Sequence, residues 1–124
     1  MEISGPKISE GGWMTFDEYQ AEAALTANDG ADCIYYAGKL VIEAAEAAQP
    51  IFKMMYHGKP ATSEQMMDEL GDVLWYAAGL AGTLGLSLSA IAAANIAKLR
   101  ERHGTAYRAS FYVGDGGAVG ERVD

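Results

Sequence analysis

Two apolar helical stretches, each carrying two acids three residues apart, constrain this chain more than any other feature. The pairs are Glu43-x-x-Glu46 and Glu69-x-x-Asp72, and the turn signal Gly58-Lys59-Pro60-Ala61 separates the stretches. On a helix, positions three apart lie on one face, so each pair projects two carboxylates from one stripe. If the two helices pack antiparallel, four carboxylates can converge. Like charges brought that close are unfavourable unless a cation sits between them. A hard divalent ion that prefers oxygen ligands, Mg²⁺ or Mn²⁺, is the natural occupant.

Local signals divide the chain into an all-α pattern. Thr15 and Glu18 form a capping box that opens a first helix, which stops near Asn28-Asp29-Gly30. A second helix covers about Asp32 to Tyr56, with Pro50 inside it, where a kink or a split is expected. Thr62 or Ser63 caps a third helix that reaches Thr83 or Leu84, with Gly85 as its stop. Ser87 or Ser89 caps a fourth, which ends at His103-Gly104. Short connections between four helices predict an antiparallel four-helix bundle spanning residues 15–104. Residues 1–14 read as an irregular leader, and 105–124 as a tail or an arm onto a partner subunit.

The second and third helices are apolar around much of their circumference: Leu40, Val41, Ile42, Ala44 and Ala45 surround the first acidic pair, and Leu70, Val73, Leu74 and Trp75 the second. A chain of 124 residues hardly supplies cover for both, so a homo-oligomer is expected. These apolar neighbours also argue that the four acids are a site and not a solvated helix face, which would be the better reading for a lone Glu.

Charge narrows the partners. A net charge of −8 with no basic stripe argues against nucleic acid. The single Cys33 can build neither an internal disulfide nor a cysteine zinc site. No apolar run reaches membrane-spanning length and no signal pattern opens the chain, so the expected address is cytoplasmic. His57 and His103 both fall at predicted helix ends, where the helix dipole favours them, and neither belongs to the Glu-x-x-His motif of di-iron bundles. The cations are more telling. Lys53 follows the first acidic pair on the same helix, and Asn95, Lys98 and Arg102 share one face of the fourth. Alone, such a stripe is usually a solvated edge. Facing a cation-loaded acidic cluster, it would complete a site for a polyphosphate.

Three blocks carry a family resemblance: Gly38-Lys39-Leu40-Val41-Ile42-Glu43-Ala44-Ala45-Glu46, then Asp68-Glu69-Leu70-Gly71-Asp72-Val73-Leu74-Trp75-Tyr76, then Asn95-Ile96-Ala97-Lys98-Leu99-Arg100-Glu101-Arg102. With the upstream segment Met14 to Gln20, they resemble the MazG-type all-α nucleoside triphosphate pyrophosphohydrolases over residues 14–104. The resemblance implies hydrolysis of a (deoxy)nucleoside triphosphate to the monophosphate and pyrophosphate, for clean-up or control of the nucleotide pool. It implies Mg²⁺ held at Glu43, Glu46, Glu69 and Asp72. Asn95 and Lys98 would then contact substrate phosphates or water on the metal, with Lys53 and Arg102 as looser matches, and the chain would form homodimers or homotetramers. One position departs from the pattern. Fuller versions carry a further acid where this chain has Ile42, which leaves the number of metals and the general base open among Glu43, Glu46 and Glu69.

Four aromatic side chains, Tyr35, Tyr36, Trp75 and Tyr76, are candidates for stacking on a base, although bundle core is the commoner role for each. Two alternatives to the main reading stand beside it. One is a related pyrophosphohydrolase acting on dUTP, dCTP, phosphoribosyl-ATP or an alarmone. The other is a bundle that binds metal and nucleotide without turnover.

Overall fold

Side-chain oxygens start the first three helices. In the computed structural model, which describes residues 12–104, Thr15, Asp32 and Thr62 each accept a hydrogen bond from the backbone N–H three residues on. These bonds satisfy donors that the first helical turn leaves without partners. The helices they open are α1 (Phe16–Leu25), α2 (Cys33–His57) and α3 (Ser63–Thr83), followed by α4 (Leu88–His103). At Thr15 the capping box is complete, because Glu18 returns a bond to the Thr15 N–H at 2.7 Å. Gly58 ends α2 in the left-handed region at φ 67°, where a side chain would be strained. There is no β-strand among the described residues. The predicted leader lies mostly outside them and the predicted tail lies wholly outside.

The described residues divide into two units, one ending at Ser89 and one beginning at Ala90. In the first, α2 and α3 form a helical hairpin. Its order is antiparallel: Tyr36, early in α2, meets Trp75 and Gly79 late in α3, while Glu43 further along meets Glu69 and Asp72 earlier in α3. The residues of α2 that are buried are Tyr36, Glu43, Ala47 and Pro50, spaced seven, four and three apart, which is one stripe of a helix. A carboxylate therefore occupies a core position. α2 is one helix through Pro50, not two pieces. Losing a single i→i−4 bond there leaves the turns on either side to hold the helix together.

α1 packs across α3, and Ala23, Ala78, Ala81 and Leu88 form a small core with Tyr19, Leu74 and Trp75 against it. Gln20 ties this corner together. Its Oε1 accepts the N–H of Leu88 at 2.9 Å, and its Nε2 donates to the carbonyl of Leu86 at 3.0 Å. A core of alanines buries little apolar area. Correspondingly, α2 presents Val41, Met55 and Tyr56 to solvent with more than two thirds of their surface exposed. α4, taken by itself, carries Asn95, Lys98 and Arg102 on its exposed surface. No single helix is long and apolar enough to cross a membrane.

Candidate functional site

Three carboxylates meet where α2 faces α3. Glu43, Glu69 and Asp72 each bring an oxygen within 4.8 Å of the other two. They differ in burial: Glu43 is buried, Glu69 is half-buried and Asp72 is exposed. The group is thus a small basin with Glu43 as its floor. Glu46 is exposed and not one of the three. Residues three apart on a helix are separated by about 60° around its axis, so with Glu43 turned into the interface Glu46 falls at its rim. It remains close enough for its charge to act on Glu43.

The electrostatics of the floor are unfavourable for a bare carboxylate. Burial pushes the Glu43 pKa up, the neighbouring Glu46 pushes it further, and Asp72 adds to both. Among the described residues Lys39 opposes them, its Nζ 3.9 Å from Glu43 Oε1. The second oxygen, Oε2, is buried without a hydrogen-bond partner. A buried acceptor left unpaired costs free energy. An orphaned carboxylate oxygen beside two more carboxylates is a donor set that suits a hard divalent cation. The residues present fit such an ion.

One turn beyond Asp72, aromatic rings close the hairpin. Tyr36 lies 5.9 Å from Trp75 and 6.3 Å from Tyr76 between ring centres, and Tyr35 packs edge-on against Tyr36 at 5.3 Å. The Tyr76 pKa is pushed up to about 12, first by a hydrogen bond with Tyr35, then by burial and by the nearby carboxylates. Burial and the charge of Asp72 also raise that of Tyr19. Beside these rings a cavity of about 310 Å³ opens between α1 and α3. Small residues line it, including Ala23, Ala27, Ala78 and Gly82, with Asn28 as a polar group and Trp75 as its aromatic wall. The indole is fixed because its N–H donates to Thr26 Oγ1 at 2.8 Å.

Over residues 35–106 the sequence matches the family model for the MazG nucleotide pyrophosphohydrolase domain, a span that runs through α2, α3 and α4 and contains all four acids. The chain belongs to the MazG family. Among curated proteins it is similar to the gene 37 protein of Mycobacterium phage L5, at 35% identity over 101 residues, covering 72% of this chain and 89% of the phage protein. No solved structure matches it. The all-α architecture expected of a MazG protein is present, with four helices at the expected places.

Of the residues singled out from sequence, Glu43, Glu69 and Asp72 come together and Glu46 stands beside them. Trp75 lines the cavity, and Lys53 is exposed near the end of α2. His57 and His103 are the last residues of α2 and α4, as expected. Sequence reasoning passed over Lys39, although its place four residues before Glu43 was a signal for an ion pair. It also passed over Gln20, whose partners are 66 and 68 residues away and leave no local trace.

Proposed function

We propose that this MazG protein hydrolyses a (deoxy)nucleoside triphosphate to the monophosphate and pyrophosphate, with Mg²⁺ or Mn²⁺ as cofactor. The observation that carries this reading is the orphaned Oε2 of Glu43 among three converging carboxylates. Glu43, Glu69 and Asp72 would hold the cation, which when bound supplies charge neutralisation for the triphosphate and for its transition state. Glu46, at the rim and outside the trio, is the carboxylate left to take a proton from the attacking water. Asn95 and Lys98 are assigned to the phosphates on sequence resemblance alone, with Lys53 and Arg102 as further contacts. Positive charge there would offset what grows on the phosphoryl oxygens.

The 310 Å³ cavity supports a nucleotide as substrate. Its volume suits a small ligand, it begins one helical turn from Asp72, and Trp75 offers a flat face on which a base can stack. A second copy of the chain, in a homodimer or homotetramer, would cover the exposed apolar flank of α2. A cytoplasmic role in clearing or balancing nucleotides agrees with this chemistry. Ile42, which is half exposed where a further acid would stand in fuller versions, favours a second reading, a bundle that binds metal and nucleotide without turnover.

The test is pyrophosphate release from the eight common NTPs and dNTPs, in Mg²⁺ and in EDTA. Release that EDTA abolishes is expected. Release of single phosphate, or no turnover on any nucleotide, would sink the assignment for these substrates.

A further inference from the structure

Lys39 has an unusual position for a surface lysine. It lies one turn before Glu43 on α2, its side chain is about a third exposed at 36%, and its Nζ is 3.9 Å from Glu43 Oε1. Its ammonium also sits over the Tyr76 ring, 5.6 Å from the centre, so the aromatic cluster on α3 holds it from a second side. Thus, among the described residues, the cation paired with the acidic basin is borne by the basin's own helix and sits beside its deepest member.

Oε2 of that same carboxylate is buried and unpaired, so the ammonium engages only one of the two Glu43 oxygens. A divalent ion drawn to Glu43, Glu69 and Asp72 must share Glu43 with Lys39 or displace it. Two cations on one carboxylate repel each other, and at a site this near the surface the repulsion weakens binding severalfold. We propose that Lys39 is a displaceable counter-ion, a positioning residue that occupies Glu43 in the metal-free protein and lowers the affinity of the basin for a free divalent cation. This rests on the proposed metal site. Its consequence is that the cation binds best together with a polyphosphate, whose negative charge compensates the ammonium. The basin is kept ready but weakly loaded until substrate arrives.

The test is direct binding of Mn²⁺, followed by electron paramagnetic resonance, and of Mg²⁺, followed by calorimetry, to the full-length protein without nucleotide. Wild type is compared with Lys39→Met, which keeps the apolar stem over Tyr76 and removes the charge, and with Lys39→Arg, which keeps the charge. The expected result is about fivefold tighter cation binding for Lys39→Met and wild-type affinity for Lys39→Arg. If wild type binds the cation and Lys39→Met binds it equally or more weakly, the counter-ion role fails while the metal site stands. If neither binds a cation, both fall. Binding by Lys39→Met alone would support the proposal in its strongest form. Thermal melts of the three proteins show whether a change in affinity comes from lost folding instead.

Discussion

The ring of Tyr36 lies against the backbone of Gly79, so closely that a Cβ on residue 79 would overlap it. α2 and α3 approach through this contact, and it sets the depth of the cavity wall formed by Tyr36 and Trp75. Gly79→Ala forces the buried phenol to move. Overpacking of this kind costs about 1–3 kcal/mol, against a gain of roughly 1 kcal/mol in helix propensity. The net expectation is a fall in Tm of roughly 5 °C, with a changed near-ultraviolet circular dichroism spectrum from the aromatic cluster. An unchanged melt would mean that the ring has room to turn aside.

The carboxylates should separate into two kinds. Glu43→Gln and Glu69→Gln are expected to lose cation binding and to lower pyrophosphate release by at least about 100-fold, the upper range seen when mere supports of metal ligands are removed. Glu46→Gln should keep cation binding and lose about 100-fold or more in kcat, as expected for a general base. Calorimetric cation titration alongside steady-state kinetics distinguishes them.

Glu43 also makes stability depend on pH. Its pKa is raised in the folded protein above the ordinary 4.5, so folding favours the protonated form. The associated stability is fully present below pH 4.5 and is lost as pH rises through the folded value. In EDTA, melting temperature should decline over that range more steeply for wild type than for Glu43→Gln. Equal slopes would show that neither burial nor the acidic neighbours raise the pKa of this residue.

Tyr76 provides a spectroscopic handle. Of the seven tyrosines, it should ionise late, near the raised value of about 12, because the bond to Tyr35 favours its neutral form. Tyr35→Phe removes the largest cause of the shift and should bring that ionisation back toward 10.0, visible in an absorbance titration. The sign for stability follows: the Tyr76 contribution is intact below pH 10.0 and is lost as pH rises through about 12.

Gln20 is the polar bolt between α1 and the start of α4. Gln20→Leu leaves the Leu88 N–H and the Leu86 carbonyl without their side-chain partner. Both bonds lie where water can reach, so a cost of about 0.5–1.5 kcal/mol is expected, measured as a shift of the urea midpoint at unchanged slope.

Helix limits were legible because their causes are local. Thr15, Thr62 and Gly58 act within a few residues of themselves, and each did what its type predicts. The acidic basin was legible in outline for the same reason, since helical spacing puts Glu69 and Asp72 on one face. What spacing did not reveal is which member of the first pair is buried. The turn of α2 about its own axis decides that, and it depends on Tyr36 meeting Gly79 more than 40 residues on. The Lys39 pair was readable but unremarkable until Glu43 proved to be a core residue.

Pro50 gives α2 a seam. Having no N–H, it cannot donate to the carbonyl of Glu46, so the hydrogen-bond ladder is interrupted one turn after the acidic pair. Residues 51–57 beyond it are exposed, whereas Pro50 and Ala47 are buried. In amide hydrogen exchange such a helix has two clocks: its last turns can open and trade their protons with water many times while the stretch that carries Glu43 stays closed.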